Sequence, residues 1–313
     1  MISTDIETRI LVIKHGALGD IVQAFDAFAG LRLGYPNAHI AIMTSPTYAS
    51  LFERMPWFDE VLNDPRASFL NLVSSLRVRK HIGRNWTFIL DLQTSNRTGW
   101  YFKLFVRGNK RWIGRAPECS DPLPYFGEVT NTERMRRVVS FAGGSRANAE
   151  LDWLFEKADL ENMRKSDLLN GKFCILVPGC SIRRVGKRWS PFNYSSLANE
   201  LLTAGFKVYL VGTHEDADAI DLVHEHAPKT INLCSKTNLG ELTLLFQNAT
   251  AVVGNDTGTM FLAAKCPTIS ITLMGTESDP TFVAAEGPKA KFLKKQNIND
   301  ISVTDVLKLI IPG

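Results

Sequence analysis

Apolar residues along this chain fall in short, nearly continuous runs. Between the runs lie longer stretches in which they recur every three or four positions. In the first half, residues 9–14, 39–43, 61–63 and 88–92 predict strands, and the lack of polar alternation predicts parallel strands covered on both faces. Residues 20–33 and 69–81 between them predict amphipathic helices. The second half repeats the plan, with strands at 173–178, 207–211, 230–233, 251–254 and 268–272. A helix after Ser190 is well punctuated: Ser190 suits the N-cap, Pro191 the first helical position and Gly205 the position beyond the end. Another opens at Asn238, where Glu241 completes a capping-box pattern. The polar stretch 156–171 reads as a linker. These patterns predict an α/β protein of two doubly wound domains, residues 1–160 and 161–313, facing each other across a central cleft.

Composition adds limits. A length of 313 residues suits two domains, and 45% hydrophobic with 22% charged residues is ordinary for a globular chain. The opening segment lacks the pattern of a signal peptide, and no run approaches the roughly 18 apolar residues that span a bilayer. The expected location is therefore the cytoplasm, with peripheral contact with the inner membrane left open. Five scattered cysteines without a CxxC pair point to a reduced compartment and predict neither a disulfide framework nor a metal site. The net charge of +4 is mild but uneven. Residues 77–115 carry ten Lys or Arg and one acid, Asp91, which reads as a solvated basic face or as a surface that meets something anionic.

Ligands of doubly wound sheets bind at the carboxyl ends of strands, so the strand-to-helix turns are the places to look for chemistry. The first turn, Lys14-His15-Gly16-Ala17-Leu18-Gly19-Asp20, has neither the G-x-G-x-x-G dinucleotide fingerprint nor a P-loop ending. Asp20 sits at a helix start, as a cap or as a group facing the cleft. The second turn runs from Pro178-Gly179-Cys180-Ser181 into a cationic segment with Arg183, Arg184, Lys187 and Arg188. The third is Gly254-Asn255-Asp256-Thr257-Gly258. Small residues at helix starts, with cations nearby, suit a diphosphate.

Taken together, the first turn, the Asp-Leu-Gln-Thr-Ser-Asn-Arg segment from Asp91 to Arg97, the second turn with its Gly-Lys-Arg-Trp-Ser-Pro continuation, and Asn-Asp-Thr-Gly-Thr-Met-Phe-Leu-Ala-Ala from Asn255 resemble the bacterial lipopolysaccharide heptosyltransferases, glycosyltransferase family 9. The resemblance runs over nearly the whole chain. It implies a GT-B architecture of two Rossmann-like domains: an N-terminal one receiving the lipopolysaccharide-core acceptor, and a C-terminal one binding an ADP-sugar, with ADP-heptose as the donor. It implies Asp20 as the catalytic base, and Lys187, Asp256, Thr257 and Gly258 as donor contacts, with Ser181 lining the phosphate pocket. Phe261 stands where the family usually carries a histidine, and His15, Gly16 and Ala17 stand where serines are common.

The expected reaction is displacement with inversion. Asp20 takes the acceptor proton, and Lys187 with backbone amides stabilises the departing diphosphate. Cations and a helix dipole supply that charge, so no cofactor or metal is expected to be required. The basic stretch suits a phosphorylated glycolipid acceptor, with Lys14 and Arg97 as its contacts. The alternatives are a divergent GT-B enzyme using another nucleotide sugar, or a non-catalytic nucleotide- or nucleic-acid-binding protein. Nucleic acid is not expected as a partner, since no RNA-binding or zinc-finger signature accompanies the basic residues.

Overall fold

The apolar runs of the first half become β1 (Arg9–Ile13), β2 (His39–Thr44), β3 (Glu60–Asn63) and β4 (Phe88–Asp91). Ile10 to Ile13 are fully buried, as a strand covered on both faces requires. The computed structural model describes residues 7–106, 108–116, 118–180 and 185–311, and its contacts divide the chain into two units, Met1–Trp153 and Leu154–Gly313. In the first unit the helices are α1 (Leu18–Gln23), α2 (Phe25–Gly34), α3 (Ala49–Glu53), α4 (Leu72–Gly83), α5 (Asn96–Phe105) and α6 (Asn131–Phe141). Two further strands, β5 (Trp112–Gly114) and β6 (Asp121–Pro122), complete a parallel sheet of order β3-β2-β1-β4-β5-β6. The order reverses between β1 and β4, which makes the carboxyl ends of those strands the place where a ligand crevice opens.

The second unit holds α7 (Lys157–Lys165), β7 (Phe173–Val177), α8 (Pro191–Thr203), β8 (Lys207–Leu210), α9 (Ala217–His226), β9 (Ile231–Asn232), α10 (Leu239–Asn248), β10 (Ala251–Asn255), α11 (Gly258–Lys265), β11 (Ile269–Met274), α12 (Pro280–Val283), β12 (Ala290–Lys294) and α13 (Val303–Ile310). Its parallel sheet runs β12-β11-β10-β7-β8-β9 and reverses between β7 and β10. Trp189 and Tyr194, both almost fully buried, pack with β7, β8 and β10 residues in its core. Burying each such side chain contributes roughly 1.5–3 kcal/mol before entropy is counted.

The nine expected strands are present, and Ser190 caps α8 through Phe192 N–H while Gly205 beyond its end has φ +86°. Three expectations are corrected. The helix expected over 20–33 is two helices that meet at Ala24, whose N–H turns to Ile21 O. The helix expected from 69 starts at Leu72, because the Asn71 side chain accepts Ser74 N–H and caps it there. The stretch 156–171 is not a free linker: it contains α7, tied to the start of α10 by Asn238 Nδ2 donating to Asp159 at 2.8 Å.

Candidate functional site

In the first unit, the turn after β1 is shaped by Gly16. Its φ of +129° disfavours other residues, and a Cβ there would lie 2.3 Å from the Tyr48 ring. Asp20, in the first turn of α1, accepts Ala17 N–H through Oδ2 at 3.2 Å. The capping role is thus real, and it occupies one carboxylate oxygen. Around Asp20 stand cations that do not touch it. Lys14 is 5% exposed and makes no side-chain hydrogen bond or ion pair among the described residues. Burial pushes its pKa down, Asp20 and Asp91 oppose that, and Arg134 adds to it. Among the described residues Arg134, on α6, donates only to the neutral Thr94 hydroxyl and Asn131 amide oxygen, at 3.3 and 3.4 Å. Burial and then Arg115 lower its pKa, while Asp20 and Asp91 raise it.

Asp91 ends β4 beside Ile13, fully buried, and accepts Thr94 N–H at 2.8 Å. Burial pushes its carboxyl up to about 6 against the bonds from Thr98 and Thr94 and the charge of His15. Behind the turn runs a second polar chain. His15 Nε2 lies 2.8 Å from Asp64 Oδ2, an ion-pair separation with the ring N–H poorly aligned for a hydrogen bond. Tyr101 donates to the same Asp64 oxygen at 2.5 Å, and Arg97 Nε donates to the Tyr101 oxygen at 2.5 Å. Burial alone would raise the Asp64 pKa, but His15, Tyr101 and the Arg66 amide outweigh it and hold the carboxyl below its usual range. Arg97 also donates to Ala67 O at 2.5 Å and lies over the Phe69 and Tyr101 rings. It borders a cavity of about 530 Å³ with Gly16, Ala17, Ser45, Tyr48 and Arg66. Lys14 and Arg97 therefore flank the same turn in different states: Lys14 is uncommitted, while Arg97 already spends donors on the fold.

In the second unit, the turns after β7 and β10 meet. Asn255 is fully buried and joins them: Nδ2 donates to Pro178 O and Gly179 O at 2.8 and 3.2 Å, and Oδ1 accepts from Trp189 N–H and Tyr194 OH at 3.0 and 3.1 Å. Gly179 is required here, since a Cβ would lie 2.1 Å from Asp216 Oδ1. Lys187 and Asp256 are partners of each other. Nζ to Oδ2 is 2.5 Å, both side chains are at most 8% exposed, and Ser278 Oγ donates to the same oxygen at 2.7 Å. Thr257 is the residue before α11, and its buried hydroxyl has no partner among the described residues. Gly258 opens that helix, and Phe261 lies on it, partly exposed. Ser181 lies outside the described residues.

The structure thus groups Lys187, Asp256, Thr257 and Gly258 in one unit and Lys14, Asp20 and Arg97 in the other. Sequence reasoning assigned no role to Arg134, Ser278 or Asn255. Arg134 has neighbours of the same type, Arg136 and Arg137, which pair with acids, and nothing in the sequence separates the three. Asn255 was visible as part of the third turn, but its four bonds reach 61 to 77 residues away.

A family model described as "Glycosyltransferase family 9 (heptosyltransferase)" matches residues 135–309. Lipooligosaccharide heptosyltransferase 2 of Haemophilus influenzae is 26% identical over 321 residues, covering 91% of this chain and 88% of the relative. Among solved structures, the ADP-heptose lps heptosyltransferase II of E. coli superposes with TM-score 0.74 at 22% identity, over 96% of this chain and 97% of that one. A family 9 glycosyl transferase from Veillonella parvula superposes with TM-score 0.82 at 19% identity, over 98% of both chains. These likenesses, with the two parallel sheets, give the chain the GT-B fold of Rossmann-like units.

Proposed function

The chain belongs to glycosyltransferase family 9, the heptosyltransferase family, and from that premise we propose that it transfers heptose from ADP-heptose to the inner core of lipopolysaccharide. The observation that carries the proposal is the buried Lys187–Asp256–Ser278 cluster at the switch point of the second sheet. A lysine held by one carboxylate, beside the start of α11, offers charge and backbone donors where a diphosphate departs. Asp256 Oδ2 is engaged, so Oδ1 is the atom left for donor hydroxyls. The Thr257 hydroxyl, which has no partner among the described residues, is a further donor toward the diphosphate.

In the first unit, Asp20 acts as general base, removing the acceptor proton as its oxygen attacks the anomeric carbon with inversion. Lys14 and Arg97 bind the anionic acceptor. Protein cations and the α11 dipole supply the charge the leaving group needs, so activity is expected to survive EDTA. The resemblance of relatives that carry ADP-heptose in their names supports the donor assignment.

The test is transfer from ADP-heptose to lipopolysaccharide stripped of its heptoses, read as the mass of one added heptosyl residue. Transfer that requires a UDP- or GDP-sugar would keep the glycosyltransferase and discard heptose as the donated sugar. Loss of transfer on adding EDTA, restored by magnesium, would overturn the metal-free account.

A further inference from the structure

Helix α4, with Leu70 just before it, turns an apolar surface outward that none of the described residues covers. Leu70, Leu72, Val73 and Leu76 are 90%, 73%, 71% and 59% exposed. Positions 72, 73 and 76 recur at the spacing that places them on one side of a helix, and the same stripe continues through Arg79 and Lys80. The opposite side carries Val78 and Ile82, buried against the sheet core with Leu11 and Trp86. The outward side is therefore not core that failed to pack. Four large aliphatic side chains exposed within seven residues are an uncommon cost for a surface that meets only water.

The charge around this stripe is of one sign. Arg77, Arg79 and Lys80 are exposed and take part in no ion pair among the described residues. From residue 65 to residue 110 the sequence holds one acid, Asp91, and that side chain is 1% exposed. Apolar residues at one end of a short helix, followed by free cations with no carboxylate among them, match an interface with anionic headgroups above and acyl chains below. A second copy of the chain is a poorer occupant. A two-fold interface sets the same patch against itself, so Arg77, Arg79 and Lys80 would meet their own copies with no carboxylate on the patch to neutralise them.

We infer that the exposed face of α4 is a membrane-docking surface, in which Leu70, Leu72, Val73 and Leu76 enter an anionic lipid surface and Arg77, Arg79 and Lys80 bind its headgroup phosphates. No helix among the described residues is long and apolar enough to cross a membrane, so the contact is interfacial.

The experiment is co-sedimentation of the full chain with vesicles of phosphatidylcholine alone and of phosphatidylcholine with phosphatidylglycerol. Two variants accompany the natural chain, Leu72→Gln/Val73→Gln/Leu76→Gln and Arg77→Gln/Arg79→Gln/Lys80→Gln; glutamine keeps helix propensity, and the sites are exposed, so both should fold. The natural chain is expected to pellet with the anionic vesicles and to be released by salt. Each variant is expected to partition at least about tenfold less. Failure of the natural chain to pellet, or undiminished pelleting of both variants, would overturn the inference. So would a natural dimer that the leucine variant converts to monomer, which would assign the face to self-association. Sedimentation involves neither sugar donor nor acceptor, so its outcome stands apart from that of the transfer assay.

Discussion

Asp20 and Asp256 each follow a strand at the switch point of their own sheet, Asp20 in the first turn of α1 and Asp256 just before α11, yet their surroundings differ in kind. Asp256 is already neutralised: Lys187 and Ser278 share one of its oxygens, and the pair is buried. Asp20 holds a single backbone N–H, and Lys14 and Arg134, whose pKa values its charge raises, make no contact with it. A carboxylate bound to a lysine is suited to fixing that lysine in place. A carboxylate with no cation in contact is left open to an acceptor hydroxyl. On the proposed function, the difference suits the Asp256 turn to binding and the Asp20 turn to proton transfer.

The sharpest way to break this contrast is Asp20→Asn. The amide oxygen can still cap Ala17 N–H, so the fold should hold, while turnover is expected to fall roughly 10²- to 10⁴-fold. Single-turnover kinetics alongside ADP titration would check it; near-normal turnover would remove Asp20 from the chemistry. Next comes Asp91→Asn, which probes the uncommitted charges of the first unit from inside. The folded chain holds the Asp91 proton up to about pH 6, well above the ordinary 3.8. Ionised Asp91 therefore costs stability increasingly as pH rises through that window, and the cost is complete above it. The variant keeps an acceptor for Thr94 N–H. It is expected to gain up to about 3 kcal/mol at neutral pH and to lose most of the wild-type pH dependence between about pH 4 and 6. Urea melts at several pH values would show whether it does.

Lys187→Met removes the cation and leaves Asp256 buried without it. ADP affinity is expected to drop by roughly 10- to 100-fold, the range for a charge-assisted hydrogen bond. Unchanged calorimetric affinity would mean that the lysine serves Asp256 alone. The smallest effect expected is that of Ser278→Ala, which removes one of the two partners of the Asp256 carboxylate among the described residues. A loss of about 1 kcal/mol, read as a several-fold rise in KM for the donor with kcat unchanged, would place Ser278 in donor binding.

The central strands were legible because a parallel strand covered on both faces must be apolar throughout, as in Phe173–Val177. The edges were not. In β12 the exposed Lys291 and Lys294 interrupt the apolar residues, and β6 is two residues long and contains Pro122. Helix ends with side-chain caps, at Ser190 and Asn238, could be read directly. The break at Ala24 carries no such mark, since alanine is at home inside a helix. Within the site, turn residues could be named from the strand-to-helix pattern, but their commitments could not. That Lys187 faces Asp256, and that Arg97 is spent on Tyr101 and Ala67, depend on side chains brought together from 69, 4 and 30 residues apart.

Asn255 bears on how this unit can change. Its oxygen accepts twice and its nitrogen donates twice, so every polar atom of the side chain is in use. The turn after β7 and the turn after β10 are thereby riveted through one amide. A lineage drifting toward a different donor could not reshape one turn while the other stays still, because aspartate at this position would lose both donors and bury a charge. On the proposed function, a change of sugar preference would fall to side chains that project from the two turns, such as Thr257 and Phe261, while the backbone that Asn255 ties together stays a single piece.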